Sequence, residues 1–294
     1  MRLCRFDDDR VGVVQGDVIR DVSSILGRLP SAPHPAPWGD PLIARLQRMR
    51  AAVESLANRS RMRPIDAVRL LSPVARPSKI IGVPGNYHAH AREAEQDAAV
   101  RQYAAASGRS IEEQGLFLKA STAIVGPSEG VSIKFPNRRT DHEVELSVVI
   151  GRQGVDIPAD RALEHVAGYA IGLDMVVRGP EDRSLRKSLD TYAVLGPWLA
   201  TPDEVGDPGS LDFELAVNGV VRQRGSTRDM ILDVPRLIAW ASTFYTLFPG
   251  DVIMTGTCEG VGPVVPGDRM SARFERVGEM RVDVRAWAPP ESGG

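Results

Sequence analysis

The chain has 294 residues, of which 43% are hydrophobic and 25% are charged, and its formal net charge is −2. These values are typical of a soluble globular protein and predict no basic surface for nucleic acid. The sequence has no apolar run long enough to span a membrane, and its acidic start is unlike a signal peptide, so we expect a cytoplasmic protein. The two cysteines, Cys4 and Cys258, predict neither a zinc site nor a disulfide framework.

The first part of the chain predicts short strands and one helix. Residues 3–19 contain alternating apolar runs around a Gly-Asp turn. Residues 38–59 have the pattern of a helix, with Asp40 as its N-cap and Pro41 in the first helical position. One face of this predicted helix is apolar and is expected to pack against a core. That face consists of Leu42, Leu46, Met49, Val53 and Leu56.

A proline-containing stretch, LSPVARPSK, follows this first part and has the composition of a linker. We therefore predict a small N-terminal α/β domain over residues 1–72 and a second, larger domain over residues 73–290. The two predicted domains together account for nearly the whole chain.

The second domain is predicted to consist mainly of strands. Helices are predicted only over residues 86–107, 160–166 and 235–247, which argues against a doubly wound nucleotide-binding fold because helices and strands alternate there. The glycines of TGTCEGVG open no helix and are therefore no dinucleotide-binding motif. The predicted fold class is α+β and rich in β-structure. The predicted strands are KIIGV, SIKFP, EVEL, GYAIGLDMVVR, LDFELAVNG, DVIMTGT, RMSARFE and MRVDVRAW.

The stretch TDHEVELSVVIG, residues 140–151, nearly alternates apolar and polar residues and predicts a strand. Glu143 and Glu145 lie on its polar face, roughly 6.6–6.8 Å apart along the strand, so their side chains can reach one point. Two interpretations are open. The face is exposed to water, which screens the repulsion, or a cation lies between the carboxylates.

The strand predicted in GYAIGLDMVVRG carries a third acid on an unusual face. Ala170 and Gly172 leave space on this face, beside Asp174 and Arg178. An Asp174–Arg178 ion pair on a solvated face is the simpler interpretation. Together with the two glutamates, however, a third carboxylate beside a cleared space suits a hard divalent cation such as Mg²⁺.

A histidine and a glutamate in VPGNYHAHAREAE are candidates for a general base. If this stretch is helical, His90 and Glu93 are neighbours at a spacing of three residues. A carboxylate beside an imidazole orients the ring and raises its basicity, which activation of water requires. A chance pair on an exposed helix is the commoner meaning of this spacing, and His88 competes as the base.

Seven stretches, in order, resemble the fumarylacetoacetate hydrolase superfamily over residues 79–288. They are GNYHAHAREA, FLKASTAIVGP, DHEVELSVVIG, GYAIGLDMVVR, RKSLDTYAVLGPWL, VNGVVRQRGSTRDMI and PGDVIMTGTCEGVGPVVPGD. The resemblance implies a mixed β-roll catalytic domain after a small N-terminal domain, assembled as a homodimer. It also implies that Glu143, Glu145 and Asp174 bind Mg²⁺ or Mn²⁺.

The same resemblance implies the catalytic residues. The family pattern NYxxHxxE assigns His90 and Glu93, in preference to His88, to a mobile segment over the site; we call residues 86–107 the lid segment. The family lysine before Ser-x-Asp corresponds to Lys187. The implied substrate-binding residues are Lys119, Arg178, Glu181, Gln223, Gly256 and Thr257.

Two positions depart from the family pattern. Relatives commonly have Arg-Asp-x-Gln after the metal aspartate, whereas this chain has Arg-Gly-Pro-Glu and so carries an acid, Glu181, in place of an amide. The usual Thr-Gly-Thr-Pro ends here in Cys258. The first change alters the charge near the substrate and therefore bears on which substrate is used.

Residues and resemblance together predict a divalent-metal-dependent hydrolase that cleaves a C–C bond of a 3-acylpyruvate through a stabilised enolate. Its partner is expected to be a small 2-oxo acid, with no nucleic acid and no membrane. Within the family, the alternative is a decarboxylase or isomerase of oxaloacetate-like or unsaturated 2-oxo diacids in aromatic catabolism. A non-catalytic ligand-binding protein is an alternative of another class, and the complete set of His90, Glu93 and Lys187 speaks against it.

Overall fold

The computed structural model describes residues 1–31, 36–96 and 109–289. Strands predominate in these residues, and the α-helices are few and short, which confirms the predicted β-rich α+β class. The strands are β1 (Arg2–Phe6), β2 (Arg10–Gln15), β3 (Val18–Asp21), β4 (Met62–Pro64), β5 (Leu70–Leu71), β6 (Ile80–Gly82), β7 (Phe117–Lys119), β8 (Ile124–Val125), β9 (Val131–Ile133), β10 (Thr140–His142), β11 (Val144–Ile150), β12 (Val166–Asp174), β13 (Val176–Val177), β14 (Ala193–Ala200), β15 (Asp212–Val217), β16 (Val220–Ser226), β17 (Val252–Met254), β18 (Gly262–Val264), β19 (Arg269–Phe274) and β20 (Gly278–Ala286). The α-helices are α1 (Leu46–Ala57), α2 (His88–Gln96), α3 (Ile111–Gln114), α4 (Arg183–Lys187), α5 (Pro202–Val205) and α6 (Val234–Phe244).

The strands form three sheets. The largest has twelve strands in the order β4-β3-β2-β1-β14-β12-β11-β17-β6-β7, with β5 beside β1 and β8 beside β14. The other two have the orders β13-β10-β18 and β16-β15-β19-β20-β9. Strand β1 pairs antiparallel with β14, so strands from both sides of residue 72 share one sheet. The division into two domains at that residue stays a prediction.

Strands β11 and β12 lie inside the large sheet, and both of their faces are buried. On one face, Leu146 and Ile171 belong to the main hydrophobic core. On the other face, Val149 and Ala170 belong to a second core, which also contains apolar residues of α1. The interpretation of a water-exposed glutamate face is therefore wrong, because elements from distant parts of the chain cover the side of β11 that its polar residues occupy.

The N-cap position of the α-helix is Arg45, and the predicted N-cap, Asp40, instead caps the turn that precedes the helix. The Asp40 Oδ1 accepts the backbone N–H groups of Leu42 at 2.9 Å and of Ile43 at 3.1 Å. These bonds satisfy donors that a helix start leaves unpaired. The chain first forms the 3₁₀ turn Ile43–Arg45, and the α-helix begins at Leu46, later than predicted.

One predicted helix differs in type. Residues 160–166 lie within the 3₁₀ helix Ala159–His165, in which Arg161 N–H bonds the Pro158 carbonyl, three residues back, at 3.0 Å. An α-helix was predicted there because apolar spacing over so few residues does not separate the two helix types. The helix predicted over residues 235–247 is α6. In the parts of the chain that the structure describes, no helix combines the length and apolarity that crossing a membrane requires.

Candidate active site

Three carboxylates from two neighbouring strands meet at one point. Glu143 directly precedes β11, Glu145 lies on β11 and Asp174 ends β12. One oxygen of each lies within 4.8 Å of the others, and all three residues are buried. Gly172 pairs with Glu145 across the two strands, and a Cβ at position 172 would lie 2.3 Å from the Ser147 Oγ. The Ser147 hydroxyl therefore occupies the space beside Gly172, so the prediction that this small residue clears room for a ligand is wrong.

Two lysines contact these carboxylates. Lys187 donates hydrogen bonds to both Glu143 and Asp174. Lys119 donates to Asp174 and, at 2.9 Å, to the carbonyl of Tyr192. Both lysines were assigned to the site from the family resemblance, and the fold places both ammonium groups directly against the acids.

Arg178 lies beside the carboxylate cluster but pairs with different acids. Its Nε donates to Asp141 at 2.7 Å, and its Nη2 donates to Glu143 at 3.4 Å. The simpler interpretation of an Asp174–Arg178 ion pair on a solvated face is therefore wrong, because the Asp174 side chain is buried and contacts the two lysines, while Arg178 pairs with Asp141. Asp141, to which no sequence pattern pointed, also accepts a hydrogen bond from Arg139 at 2.6 Å.

The surrounding charges affect the two glutamates in opposite ways. Burial favours a raised pKa for Glu143, but the charges of Lys187 and Arg178 outweigh burial and lower it. The pKa of Glu145 is raised, first by burial and then by the carboxylate of Asp174. A divalent cation between the three acids would remove this repulsion, and an all-carboxylate donor set suits Mg²⁺ or Mn²⁺. The residues present therefore fit the implied metal.

The loop after β17 completes the cluster. The Gly256 N–H donates to Glu145 Oε2 at 2.7 Å. Gly256 has a φ of +95°, and a Cβ there would lie 2.7 Å from the Cβ of Asn86, so only glycine fits. The Thr257 hydroxyl donates to the carbonyl of Val144 at 2.8 Å. These bonds hold the loop against the start of β11, where the acids lie.

Gln223, which was predicted to bind substrate, uses its amide within the protein. Its Oε1 accepts the Val144 N–H at 3.1 Å and lies 3.0 Å from His142 Nδ1. Its Nε2 donates to the Thr257 hydroxyl at 2.7 Å and to the Cys258 carbonyl at 3.1 Å. The side chain thus positions the strand that carries Glu145, and its contact with substrate stays a prediction.

Glu181, the acid that replaces the family amide, has a partner of its own. Arg138 donates to both of its carboxylate oxygens, at 3.0 and 2.7 Å. These hydrogen bonds lower the pKa of Glu181. Arg138 also donates to the backbone carbonyl of Arg178 at 3.0 Å. The positive charge of Arg138 therefore balances the negative charge of Glu181, so the additional acid adds no net negative charge near the cluster.

Helix α2 brings the predicted histidine–glutamate pair together. His90 Nδ1 lies 3.6 Å from Glu93 Oε2, whereas His88 is exposed. The Glu93 carboxylate also accepts the Gly260 N–H, at 2.9 and 3.0 Å. Burial favours a raised pKa for Glu93, but the adjacent His90 imidazole and the Gly260 N–H outweigh burial and lower it. An ionised Glu93 is therefore available to orient the imidazole.

The lid segment begins with firmly held residues. Asn86 is fully buried, and its Nδ2 donates to the carbonyl of Leu232 at 2.9 Å. Tyr87 is 2% exposed. The mobile segment was predicted to begin at Asn86. Its first two residues are instead buried, and the Asn86 amide has the hydrogen-bond partners that a buried amide needs. Residues 97–107 lie outside the described part of the chain.

We expect amide hydrogen exchange of the ligand-free protein to divide the lid segment at His88. Peptides that cover Asn86 and Tyr87 should be protected, because both residues are buried. Peptides that cover α2 should exchange faster and become protected when Mn²⁺ and pyruvate are added. Exchange followed by mass spectrometry measures this difference. Core-like protection throughout α2 without ligand would rule out a mobile lid.

Known proteins are similar to this chain in sequence and structure. Residues 79–285 match the family model "Fumarylacetoacetate (FAA) hydrolase C-terminal". A maleylpyruvate hydrolase of Aquipseudomonas alcaligenes is 50% identical over 286 residues, covering 97% of this chain and 100% of the relative. A mitochondrial oxaloacetate tautomerase of Homo sapiens is 38% identical over 240 residues, covering 77% and 73%. The crystal structure of a maleylpyruvate hydrolase from Sphingobium sp. SYK-6, in complex with a manganese(II) ion and pyruvate, has a TM-score of 0.81 and 40% identity, covering 98% and 100%.

Proposed function

Because this chain belongs to the fumarylacetoacetate hydrolase family, we propose that it is a divalent-metal-dependent hydrolase that cleaves the C–C bond of a 3-acylpyruvate such as maleylpyruvate. The buried cluster of Glu143, Glu145 and Asp174 carries this proposal. Among the described residues, the lysines pair with Glu143 and Asp174, whereas no cationic side chain lies within salt-bridge distance of Glu145, and an unpaired buried carboxylate is costly without a metal cation. The 50% identical relative supports the substrate class. The manganese and pyruvate in the similar crystal structure support the cofactor and one product.

The cluster and Lys187 act on the 2-oxo acid end of the substrate. A Mg²⁺ or Mn²⁺ ion held by the three carboxylates supplies Lewis-acid stabilisation of negative charge on the 2-oxo oxygen. Burial favours a lowered pKa for Lys187, but the carboxylates of Asp174, Glu143 and Glu145 outweigh burial and raise it. Lys187 is therefore cationic and neutralises charge that develops as the C–C bond breaks.

The histidine–glutamate pair acts on the acyl end. His90 takes a proton from the water that attacks the carbonyl carbon C4, and Glu93 orients the imidazole. The bond between C3 and C4 breaks, its electron pair passes to the pyruvate fragment, and C3 then takes a proton. The products are pyruvate and the carboxylic acid derived from the acyl group.

A tautomerase, isomerase or decarboxylase of 2-oxo diacids is the second candidate. The 38% identity to an oxaloacetate tautomerase favours it. The same cluster would stabilise an enolate of oxaloacetate, and only the attacking water would be missing from the reaction. The two candidates therefore differ in the part that His90 plays.

The decisive experiment is a substrate panel with the purified protein and Mn²⁺. Maleylpyruvate, fumarylpyruvate, acetylpyruvate and oxaloacetate are supplied separately, and pyruvate release and enol absorbance are followed. We expect pyruvate from the acylpyruvates, loss of this activity with EDTA, and its return with Mn²⁺. Tautomerisation of oxaloacetate without cleavage of any acylpyruvate would overturn the hydrolase and support the second candidate. Binding of these acids without turnover would support the non-catalytic alternative.

The assembly and organisation of the chain belong to the same proposal. It is a homodimer in the cytoplasm, with residues 1–72 as a small domain and residues 73–290 as the catalytic β-roll. The family resemblance supports the dimer. Light scattering on the purified protein is expected to give twice the chain mass of 31.9 kDa, and the monomer mass would contradict the dimer.

A further inference from the structure

Helix α4 carries three cations on one side. Arg183, Arg186 and Lys187 have the spacing i, i+3, i+4, which places their side chains on one helix face. Lys187 pairs with the carboxylate cluster. Among the residues that the structure describes, neither Arg183 nor Arg186 has a carboxylate within salt-bridge distance; their hydrogen bonds go to neutral oxygens. Two cations of this helix therefore have no anionic partner within the part of the chain that the structure describes.

Arg183 lies next to the ammonium group that contacts the cluster. Its Nη2 donates to the amide oxygen of Gln114 at 3.1 Å. Its guanidinium carbon lies 5.5 Å from the centroid of the Phe117 ring, and Lys187 Nζ lies 5.3 Å from the same centroid. The two cations therefore share one aromatic ring at the edge of the active site.

Arg186 is 9% exposed, and its Nε donates to the backbone carbonyl of Glu181 at 2.8 Å. A guanidinium removed from water is costly unless an opposite charge or several hydrogen bonds replace the water. Three other arginines near the cluster each have an acidic partner: Arg138, Arg139 and Arg178. Among the described arginines near the cluster, Arg183 and Arg186 are therefore the two that lack a carboxylate partner.

We propose that Arg183 and Arg186 form a subsite for the second carboxylate of a diacid acylpyruvate, whose 2-oxo acid end lies at the cluster. This inference rests on the proposed function, because it extends the same site. A guanidinium binds a carboxylate through two parallel N–H···O bonds. Arg183 and Lys187 are about one helical turn apart, roughly 5–6 Å, which is the scale of a maleyl chain. The subsite selects substrates that end in a carboxylate over those that end in a methyl group.

The test compares two substrates that share the scissile bond but differ at the far end. Wild type, Arg183→Gln and Arg186→Gln are assayed on maleylpyruvate and on acetylpyruvate, with Arg224→Gln, at an exposed surface pair, as the matched control. We expect kcat/KM for maleylpyruvate to fall about 10- to 100-fold in each subsite variant, the effect of a lost charged hydrogen bond. For acetylpyruvate, kcat/KM should stay within about twofold of the wild-type value. Arg183→Lys and Arg186→Lys should restore part of the activity on maleylpyruvate.

Binding of the diacid product gives a readout independent of turnover. Calorimetric titration of maleate into the Mn²⁺-loaded protein should show a Kd raised at least tenfold in the subsite variants, while the Kd of pyruvate is unchanged. Equal loss with both substrates, or no loss with either, would overturn the subsite and leave the hydrolase standing. Wild-type protein that cleaves neither substrate would overturn the proposed function, and the subsite with it. Acetylpyruvate turnover also shows that each variant is folded.

Discussion

Glu143→Gln and Asp174→Asn are expected to abolish Mn²⁺ binding and catalysis together. Each amide keeps the shape of the side chain but loses the negative charge that a divalent cation requires. Isothermal titration with Mn²⁺ and the acylpyruvate assay measure the two losses. Glu164→Gln, at an exposed acid, serves as the matched control and should bind Mn²⁺ as the wild type does.

Without metal, substitutions at the three acids should have different effects on the free energy of unfolding. Glu143→Gln and Asp174→Asn leave Lys187 with less charge to pair, and breaking a buried pair costs roughly 3–5 kcal/mol. Glu145→Gln removes a carboxylate that Asp174 repels, so its free energy of unfolding should equal or exceed that of the wild type. Thermal unfolding in EDTA measures this difference. Unchanged Mn²⁺ affinity in all three variants would contradict the metal site.

His90→Ala should lower kcat for acylpyruvate hydrolysis by about 10²–10⁴-fold, the usual contribution of a general base. Mn²⁺ affinity should be retained, because Glu143, Glu145 and Asp174 lie directly before β11, on β11 and on β12, and not on α2. Tautomerisation of oxaloacetate requires no attacking water and should fall less. The ratio of the two activities in His90→Ala therefore reports whether His90 activates water.

The matched control for His90→Ala is His88→Ala on the same helix. His88 is exposed and is not the partner of Glu93, so its loss should leave both activities near wild type. The hydrolytic activity of Glu93→Gln should lie between those of the two histidine variants. This substitution removes the charge that orients the imidazole but keeps the hydrogen bond with Gly260. An inactive His88→Ala with an active His90→Ala would reverse the assignment. If both His88→Ala and His90→Ala hydrolyse the acylpyruvate at the wild-type rate, another residue is the general base, and Glu181 would be tested next.

The proposed metal ligands are the part of the site that local sequence pattern determines most directly. Alternation along TDHEVELSVVIG places Glu143 and Glu145 on one side of a strand. Likewise, helical spacing links His90 to Glu93. These are relations between residues a few positions apart, and backbone geometry sets them whatever the rest of the chain does.

Burial and charge pairing depend on chain segments that are distant in sequence. Lys119 reaches Asp174 from 55 residues away, and the order of strands in the large sheet buries both faces of β11. The pairing of Asp141 with Arg178 follows from the same packing. So does the absence, among the described residues, of a carboxylate within salt-bridge distance of Arg183 or Arg186. The sequence EDRSLRKS shows that Arg183, Arg186 and Lys187 share a helical face, but this spacing of basic residues is also common on solvated helices.

Periodicity along a chain specifies which side of an element a residue occupies. Only the tertiary structure decides what covers that side, because the covering segment comes from elsewhere in the chain.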